Sequence, residues 1–221
     1  MFKLQKSILA IASIALLNTT SAYAETTANI GASSNYLFRG VTQTNNATAV
    51  SGGIDYTDKS GIYAGTWISN VDFGDATSYE ADFYFGFAGQ SGVLNYDVGY
   101  IYYAYPDADS SINFGELYGE LTWKWLSTKI SYMSNSQSDF TTQDDMLYLE
   151  LNASFNVLNN TELALHFGQT SGDTATELFG EDYIDYGISL SKDGFTLGLS
   201  NTDLEEDDIK AYVGYAIEFD L

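Results

Sequence analysis

The sequence predicts an all-β chain: an antiparallel up-and-down transmembrane β-barrel of about twelve strands, following an N-terminal signal peptide. Three observations predict it. Apolar and polar residues alternate with a period of two through twelve segments. The connections between those segments alternate strictly between short and long. After the leader, no stretch has the 18 consecutive apolar residues that mark a membrane helix.

The leader comes first. Lys3 and Lys6 make a basic start, Ile8–Leu17 is uncharged and apolar, and Ala22-Tyr23-Ala24 supplies a small-x-small cleavage pattern. The apolar run is about half the ~20 residues a spanning helix needs, so the segment reads as a signal for Sec export and not as an anchor. Residues 1–24 are expected to be removed. Residues 25–221 then form a single barrel domain.

Composition narrows the class. Eight basic residues face thirty acidic ones, and two of the lysines leave with the leader. A chain this acidic repels phosphate, so no nucleic acid is expected as a partner. There is no cysteine, which removes disulfides and thiolate metal sites. One proline, twenty glycines, eighteen tyrosines and thirteen phenylalanines suit strands and argue against disorder.

The twelve segments lie near 28–39, 47–57, 61–70, 78–89, 92–104, 113–124, 127–135, 145–157, 161–170, 182–192, 194–202 and 207–221. The last is the clearest. Val213, Tyr215, Ile217, Phe219 and Leu221 alternate with Gly214, Ala216, Glu218 and Asp220. Leu147–Val157 and Tyr79–Ala88 repeat the pattern. Alternation is weaker at 61–70 and 127–135, and it assigns Trp67 to neither face.

Five connections are tight: 58–60, 90–91, 125–126, 158–160 and 193. Six are longer and polar: 40–46, 71–77, 105–112, 136–144, 171–181 and 203–206. An even strand count puts both termini on the short-turn side, as outer-membrane barrels require. A soluble barrel also alternates, with its apolar face turned inward. The distribution of aromatics favours the membrane. Tyr56, Phe87, Tyr96, Trp123, Phe155, Phe195 and Phe219 fall at the short-turn ends of the apolar face. Tyr36, Phe38, Tyr79, Tyr100, Tyr102, Phe167 and Tyr186 fall at the other. Two such belts match two bilayer interfaces. The terminal Tyr212–Phe219 strand also resembles the C-terminal signal of outer-membrane assembly, although the chain ends in Leu221 and not in the commoner Phe.

Several motifs together resemble a known family. They are Ser34–Thr44 (SNYLFRGVTQT), Gly52–Tyr56 (GGIDY), Gly61–Phe73 (GIYAGTWISNVDF), Glu80–Tyr84 (EADFY) and Tyr96–Pro106 (YDVGYIYYAYP). The combination is similar to the TorF-type porins of proteobacteria and covers roughly the first half of the chain after the leader. The second half matches only in pattern. The resemblance implies an outer-membrane barrel and a pore, and names no solute.

Candidate chemistry lies on the polar face. Alternation assigns it Asp55, Glu80, Asp82, Asp97, Glu116, Glu120, Glu150, Glu162, Asp185 and Glu218, with Arg39 and Lys129 as the clear bases. Two bases cannot pair with ten acids. The lumen is therefore expected to be hydrated, to line a channel and to favour cations. The alternative is that the acids pair with Arg39, Lys129 and tyrosine hydroxyls and seal a narrow barrel. Arg39, at the end of the first segment, could brace facing acids and narrow the mouth, or only anchor its loop. His166 is the one histidine, points inward with Glu162, and lies ~13 Å from it by strand rise. No catalytic site is expected, because a histidine base needs a partner within hydrogen-bond reach. Asp144-Asp145 and Glu205–Asp208 could hold calcium, but solvated acidic loops, or loops bridged through divalent ions to lipopolysaccharide, are the plainer reading. No cofactor or resident metal is expected.

The leading functional expectation is an outer-membrane channel for small hydrophilic solutes, biased toward cations or amines. The alternative is a non-conducting structural or adhesive barrel. Expected partners are outer-membrane lipid, lipopolysaccharide, the barrel assembly machinery and the solutes themselves.

Overall fold

The computed structural model describes residues 24–137, 145–205 and 207–221. The expected leader, the 138–144 part of one long connection with Asp144, and Glu206 lie outside the described residues.

Twelve strands close into one antiparallel barrel. They are β1 (Glu25–Ser33), β4 (Ala49–Thr57), β5 (Ile62–Asn70), β6 (Tyr79–Ser91), β7 (Leu94–Ala104), β8 (Phe114–Trp123), β9 (Leu126–Ser136), β10 (Leu147–Asn156), β11 (Glu162–Ser171), β12 (Tyr183–Lys192), β13 (Phe195–Thr202) and β14 (Lys210–Asp220). Each pairs with its sequence neighbours, and β14 closes on β1 with Ile217 opposite Ile30. A closed barrel leaves no unpaired edge, as a hydrocarbon environment demands. The expected fold class stands.

The outward face carries the apolar set. Ile30, Ile54, Phe85, Leu117, Leu149 and Leu197 are all exposed, as a lipid-facing belt requires. Trp67, unassigned from sequence, faces inward: its T-shaped partner is the buried Tyr36, 5.4 Å away. Its strand neighbours Ile62 and Ile68 point out.

The tight turns are shifted by a residue or two or are longer than expected by one or two residues. β6 and β7 are joined through Gly92 and Val93, with Ser91 opposite Leu94. β8 and β9 are joined through Lys124 and Trp125, with Trp123 opposite Leu126. Asp193 and Gly194 both take positive φ, as two-residue hairpins favour. A one-turn 3-10 helix occupies Leu158–Asn160. In the connection between β11 and β12, a short helix α1 (Asp173–Phe179) forms where only a loop was expected.

The largest departure is in the first segment. The expected strand 28–39 ends at Ser33. Residues beyond it form a separate hairpin, β2 (Leu37–Phe38) and β3 (Val41–Thr42). Its turn is Arg39-Gly40, with φ of 50° and 78°. Two positive φ values in a two-residue loop mark a type I′ turn. Tyr36 and Phe38 keep the alternation of β1 going, which is why they read as lipid-facing. They lie inside the barrel instead, Tyr36 at 5 % exposure and Phe38 packed 4.6 Å from its neighbour's guanidinium.

Candidate functional site

The lumen wall is built from a repeated device in which tyrosine rings lie over glycines. A Cβ at Gly65 would lie 2.4 Å from the Tyr84 ring, one at Gly86 2.5 Å from Tyr63, one at Gly168 2.7 Å from Tyr148, and one at Gly198 2.3 Å from Tyr212. With no side chain beneath it, the ring lies along the wall and its hydroxyl reaches a further strand. Tyr84 donates across Gly65 to Asp55 Oδ1 at 2.5 Å. Tyr63 donates to Asp97 Oδ1 at 2.7 Å and also meets the Tyr118 hydroxyl. Tyr148 donates across Gly168 to Asp185, 3.2 Å from Oδ2. A buried carboxylate is costly unless hydrogen-bonded, and these phenols supply the bonds.

The β2–β3 hairpin completes the site by entering the lumen from the long-connection end. Asn35, Tyr36, Leu37, Arg39 and Thr44 are all buried. Arg39 Nη2 donates to both oxygens of Glu116, at 2.6 and 2.8 Å. Its guanidinium lies between the rings of Phe38 and Tyr148, 4.6 and 4.3 Å from their centroids, in cation–π geometry. The Arg39 carbonyl accepts from the Tyr183 hydroxyl at 3.2 Å. At Gly40 a Cβ would fall 2.6 Å from Thr202 Cγ2 and 2.8 Å from Asp185 Cβ, so the turn abuts β12 and β13. Nearer its base, Tyr36 donates to Glu80 Oε1 at 2.6 Å, and Tyr105 donates to Oε2 at 2.5 Å. The hairpin thus crosses the lumen and is held on both sides.

Electrostatics explains the hold. Burial works against the Arg39 charge, but the Glu116 carboxylate outweighs it and raises the guanidinium above its ordinary value. Burial, followed by the Glu80 and Asp82 carboxylates, pushes the Tyr36 hydroxyl well up. Burial and Glu80 do the same at Tyr105. Both phenols therefore remain donors, and Arg39 remains a cation.

The sequence-predicted residues divide by depth. Glu80, Asp82, Asp97, Glu116, Glu150 and Asp185 are buried, and Arg39 joins them. Asp55, Glu120 and Lys129 are half-buried, while Glu162 and Glu218 are exposed on strand ends at the short-turn mouth. Lys129 is paired in register with Glu120 on one side and Glu150 on the other, and its Nζ lies 4.4 Å over the Tyr118 ring. The acids at that mouth are accessible, whereas toward the long-connection end the inserted hairpin and the tyrosines cover Glu80, Asp82, Glu116 and Asp185. Tyrosine hydroxyls entered the sequence reading only as unnamed partners in the sealed-barrel alternative; the signal that would have picked them out is that each sits on the polar face of an alternating strand, over a glycine.

His166 does point inward. Its Nε2 lies 2.7 Å from Asp185 Oδ1 and its Nδ1 lies 2.6 Å from Asn152 Oδ1, so both ring nitrogens are engaged. No group of three or more His, Asp or Glu side chains suited to a metal occurs among the described residues. Asp145 instead caps the start of α1, accepting from the amides of Thr174 and Asp173 at 3.0 and 3.3 Å. Asp207 pairs with Lys210 and accepts from Thr202 Oγ1 at 2.6 Å.

Residues 18–219 match the profile of a family described as a bacterial protein of unknown function, Gcw_chp. The chain belongs to that family. No curated protein matches it. Among solved structures it is similar to the KdgM porin, at 9 % identity and a TM-score of 0.56, covering 88 % of this chain and 99 % of that one. A second KdgM structure, in complex with disordered oligogalacturonate, gives 9 % identity, a TM-score of 0.55, and coverage of 89 % and 99 %. At this identity the likeness is one of fold. The Gcw_chp chain thus shares the barrel fold of the KdgM porin, nearly the whole of which is matched.

Proposed function

We propose that this chain is a non-catalytic outer-membrane channel for small hydrophilic solutes, biased toward cations and amines, with the β2–β3 hairpin setting its opening. The observation that carries the reading is the combination of a closed porin-type barrel with ten inward acids against Arg39 and Lys129. Charges inside a narrow, low-dielectric pore act over the whole opening, so a cation is favoured and an anion repelled. The solute class then differs from the oligogalacturonate held in one KdgM structure. Oligogalacturonate carries a carboxylate on each sugar, and a lumen of this charge opposes its entry. The TorF-type motifs support a pore of the same general kind.

Export through the Sec pathway, insertion by the barrel assembly machinery and contact with lipopolysaccharide belong to the same proposal. They rest on the leader pattern, the apolar terminal strand and the exposed belt. The acidic long connections then face outward and the short turns face the periplasm.

A second reading has an observation in its favour. The hairpin is buried at Leu37, Arg39 and Gly40, half-buried over the rest, and tied to both walls, which suits a structural, non-conducting barrel. Planar-bilayer recording separates the two. The channel reading expects current through the purified protein and a reversal potential in a salt gradient that reports cation preference. Changing Asp55, Glu162 and Glu218 to Asn or Gln should move that potential toward zero, and raising salt should do the same by screening over ~10 Å at 0.1 M. Anion preference overturns the charge assignment. Absence of current from the wild type and from hairpin-loosened variants leaves the structural reading.

A further inference from the structure

The buried acids around the hairpin turn are unevenly satisfied. Glu80 has both oxygens bonded by phenols. Both oxygens of Glu116 are taken up by one nitrogen of Arg39. Asp82, 5 % exposed and close enough to repel Glu80 and Glu116, has Oδ1 buried with no hydrogen-bond partner. On the cationic side, Arg39 Nη1 is likewise buried and unpartnered. Asp82 therefore lies close to two other carboxylates, and the one guanidinium in the cluster, bonded to Glu116, uses only part of its donor set. An unmade bond to a buried charged group is costly, and a ligand that supplied it would be held by it.

The surroundings are those of a cation-recognition pocket. Tyr148 presents a ring face to the guanidinium at 4.3 Å, and the Tyr103 hydroxyl reaches Glu116 Oε2 at 3.4 Å. An aromatic face beside paired carboxylates is the chemistry that binds planar or alkylated cations. Arg39 enters it on a hairpin that belongs to the connection between β1 and β4 and not to a wall strand, at a turn whose left-handed φ is unfavourable for a residue with a side chain.

We propose that this pocket, formed by Glu116, Asp82, Tyr103 and Tyr148, is a recognition site for guanidinium- or amine-bearing solutes, and that Arg39 is its built-in stand-in ligand. A solute that takes the Glu116 carboxylate displaces Arg39, frees the hairpin turn and so opens the path it travels. The inference rests on the channel reading and deepens it by naming the solute class. It also gives a reason for the unused donor and acceptor: the pocket is shaped for a ligand that arrives free, and the tethered one fits it in part.

Methylguanidinium chloride is the probe, with sodium chloride at equal ionic strength as the control. In bilayers the wild-type barrel should stay open severalfold longer in methylguanidinium than in sodium. Glu116→Gln should abolish the difference. In detergent, Arg39→Ala leaves a guanidinium-sized space, and methylguanidinium should raise its melting temperature by ~2–4 °C. The double variant Arg39→Ala/Glu116→Gln should not respond. If Arg39→Ala does not fold, Arg39→Gln, which retains the side-chain stem, takes its place in both assays. Equal behaviour in methylguanidinium and sodium, in current and in melting, overturns the proposal. Absence of current from wild type and Arg39→Ala alike overturns the channel reading and the release step. In that case a melting shift still identifies the pocket as a cation site, and no shift removes that as well.

Discussion

Arg39 and Glu116 are 77 positions apart in sequence, yet one guanidinium nitrogen lies within 2.8 Å of both carboxylate oxygens. Both side chains are nearly inaccessible, at 6 % and 2 % exposure. Removing one partner of a buried ion pair leaves the other charge unpaired and costs ~3–5 kcal/mol. Glu116→Gln keeps the shape and removes the charge. The expected result is a lower melting temperature together with a larger mean current, because the hairpin loses its main tie. Unchanged current would show that the hairpin does not limit the path.

Gly40 is the point at which the hairpin turn meets the far wall. Its φ of 78° suits glycine, and a methyl group there would lie within 2.8 Å of Thr202 and Asp185 side-chain atoms. Gly40→Ala should push the turn off the wall while leaving the twelve-strand barrel intact. Gel mobility before and after heating reports the barrel, and conductance reports the turn. A folded variant with wild-type current would argue that the turn has another way past Thr202.

At Gly168 the test is of the wall itself. A Cβ there would come within 2.2 Å of the Tyr148 hydroxyl and 2.4 Å of Asp185 Oδ2. Gly168→Ala should turn the ring away and break its bond to Asp185, at a cost of ~1–3 kcal/mol for the exposed acceptor. Urea denaturation of Gly168→Ala beside Tyr148→Phe should give similar losses, and the double variant little more than either alone.

Acid should loosen the connection that carries α1. Hydrogen bonds from Thr174 N first, and from Asp173 N, hold the Asp145 carboxyl below its ordinary value. A depressed carboxylate stabilises the fold above its unfolded value of about 3.9, and that contribution is lost as pH falls through the lower folded value. Amide exchange at Asp173 and Thr174 should therefore accelerate only below about pH 4. In Asp145→Asn that acid-dependent step should be absent.

The terminal strand provides a test of location. Phe219 and Leu221 are exposed, at 47 % and 69 %. Asp at both positions places charge on the lipid-facing side, which costs more toward the bilayer centre and less near an interface. The double variant should be lost from outer-membrane fractions and degraded before assembly. Normal abundance in those fractions would show that this face does not meet lipid.

The twelve wall strands were legible because each must present an apolar side to lipid and a polar side inward, and a period of two records that directly. β14 is the plainest case, with Val213 to Leu221 alternating without a break. The same rule misplaced Tyr36 and Phe38. They continue the period of β1, but the sequence does not say whether an apolar side chain faces lipid or packs in the lumen. The Arg39-Gly40 pair was a turn signal that alternation outweighed. Trp67 gave no answer because Gly65 and Thr66 beside it fit either face. The acids were found by position, and Arg39 and tyrosine hydroxyls were named as possible partners, but which acid meets which partner was not legible. A phenol reaches its carboxylate across an intervening strand, so Tyr84 and Asp55 are joined by barrel geometry and by nothing in their sequence spacing.

The hairpin follows β1 in the chain, yet its supports, Glu116, Tyr148, Tyr183 and Thr202, belong to β8, β10, β12 and β13. Its base can rest on β5 and β6 through Tyr36, but its turn has no support until the later strands are in place. Long-range contacts form late because loop closure must come before they can reward it. Arg39 can meet Glu116, and Gly40 can meet Asp185 and Thr202, only once those strands have joined the barrel, so the seated turn reports a completed wall.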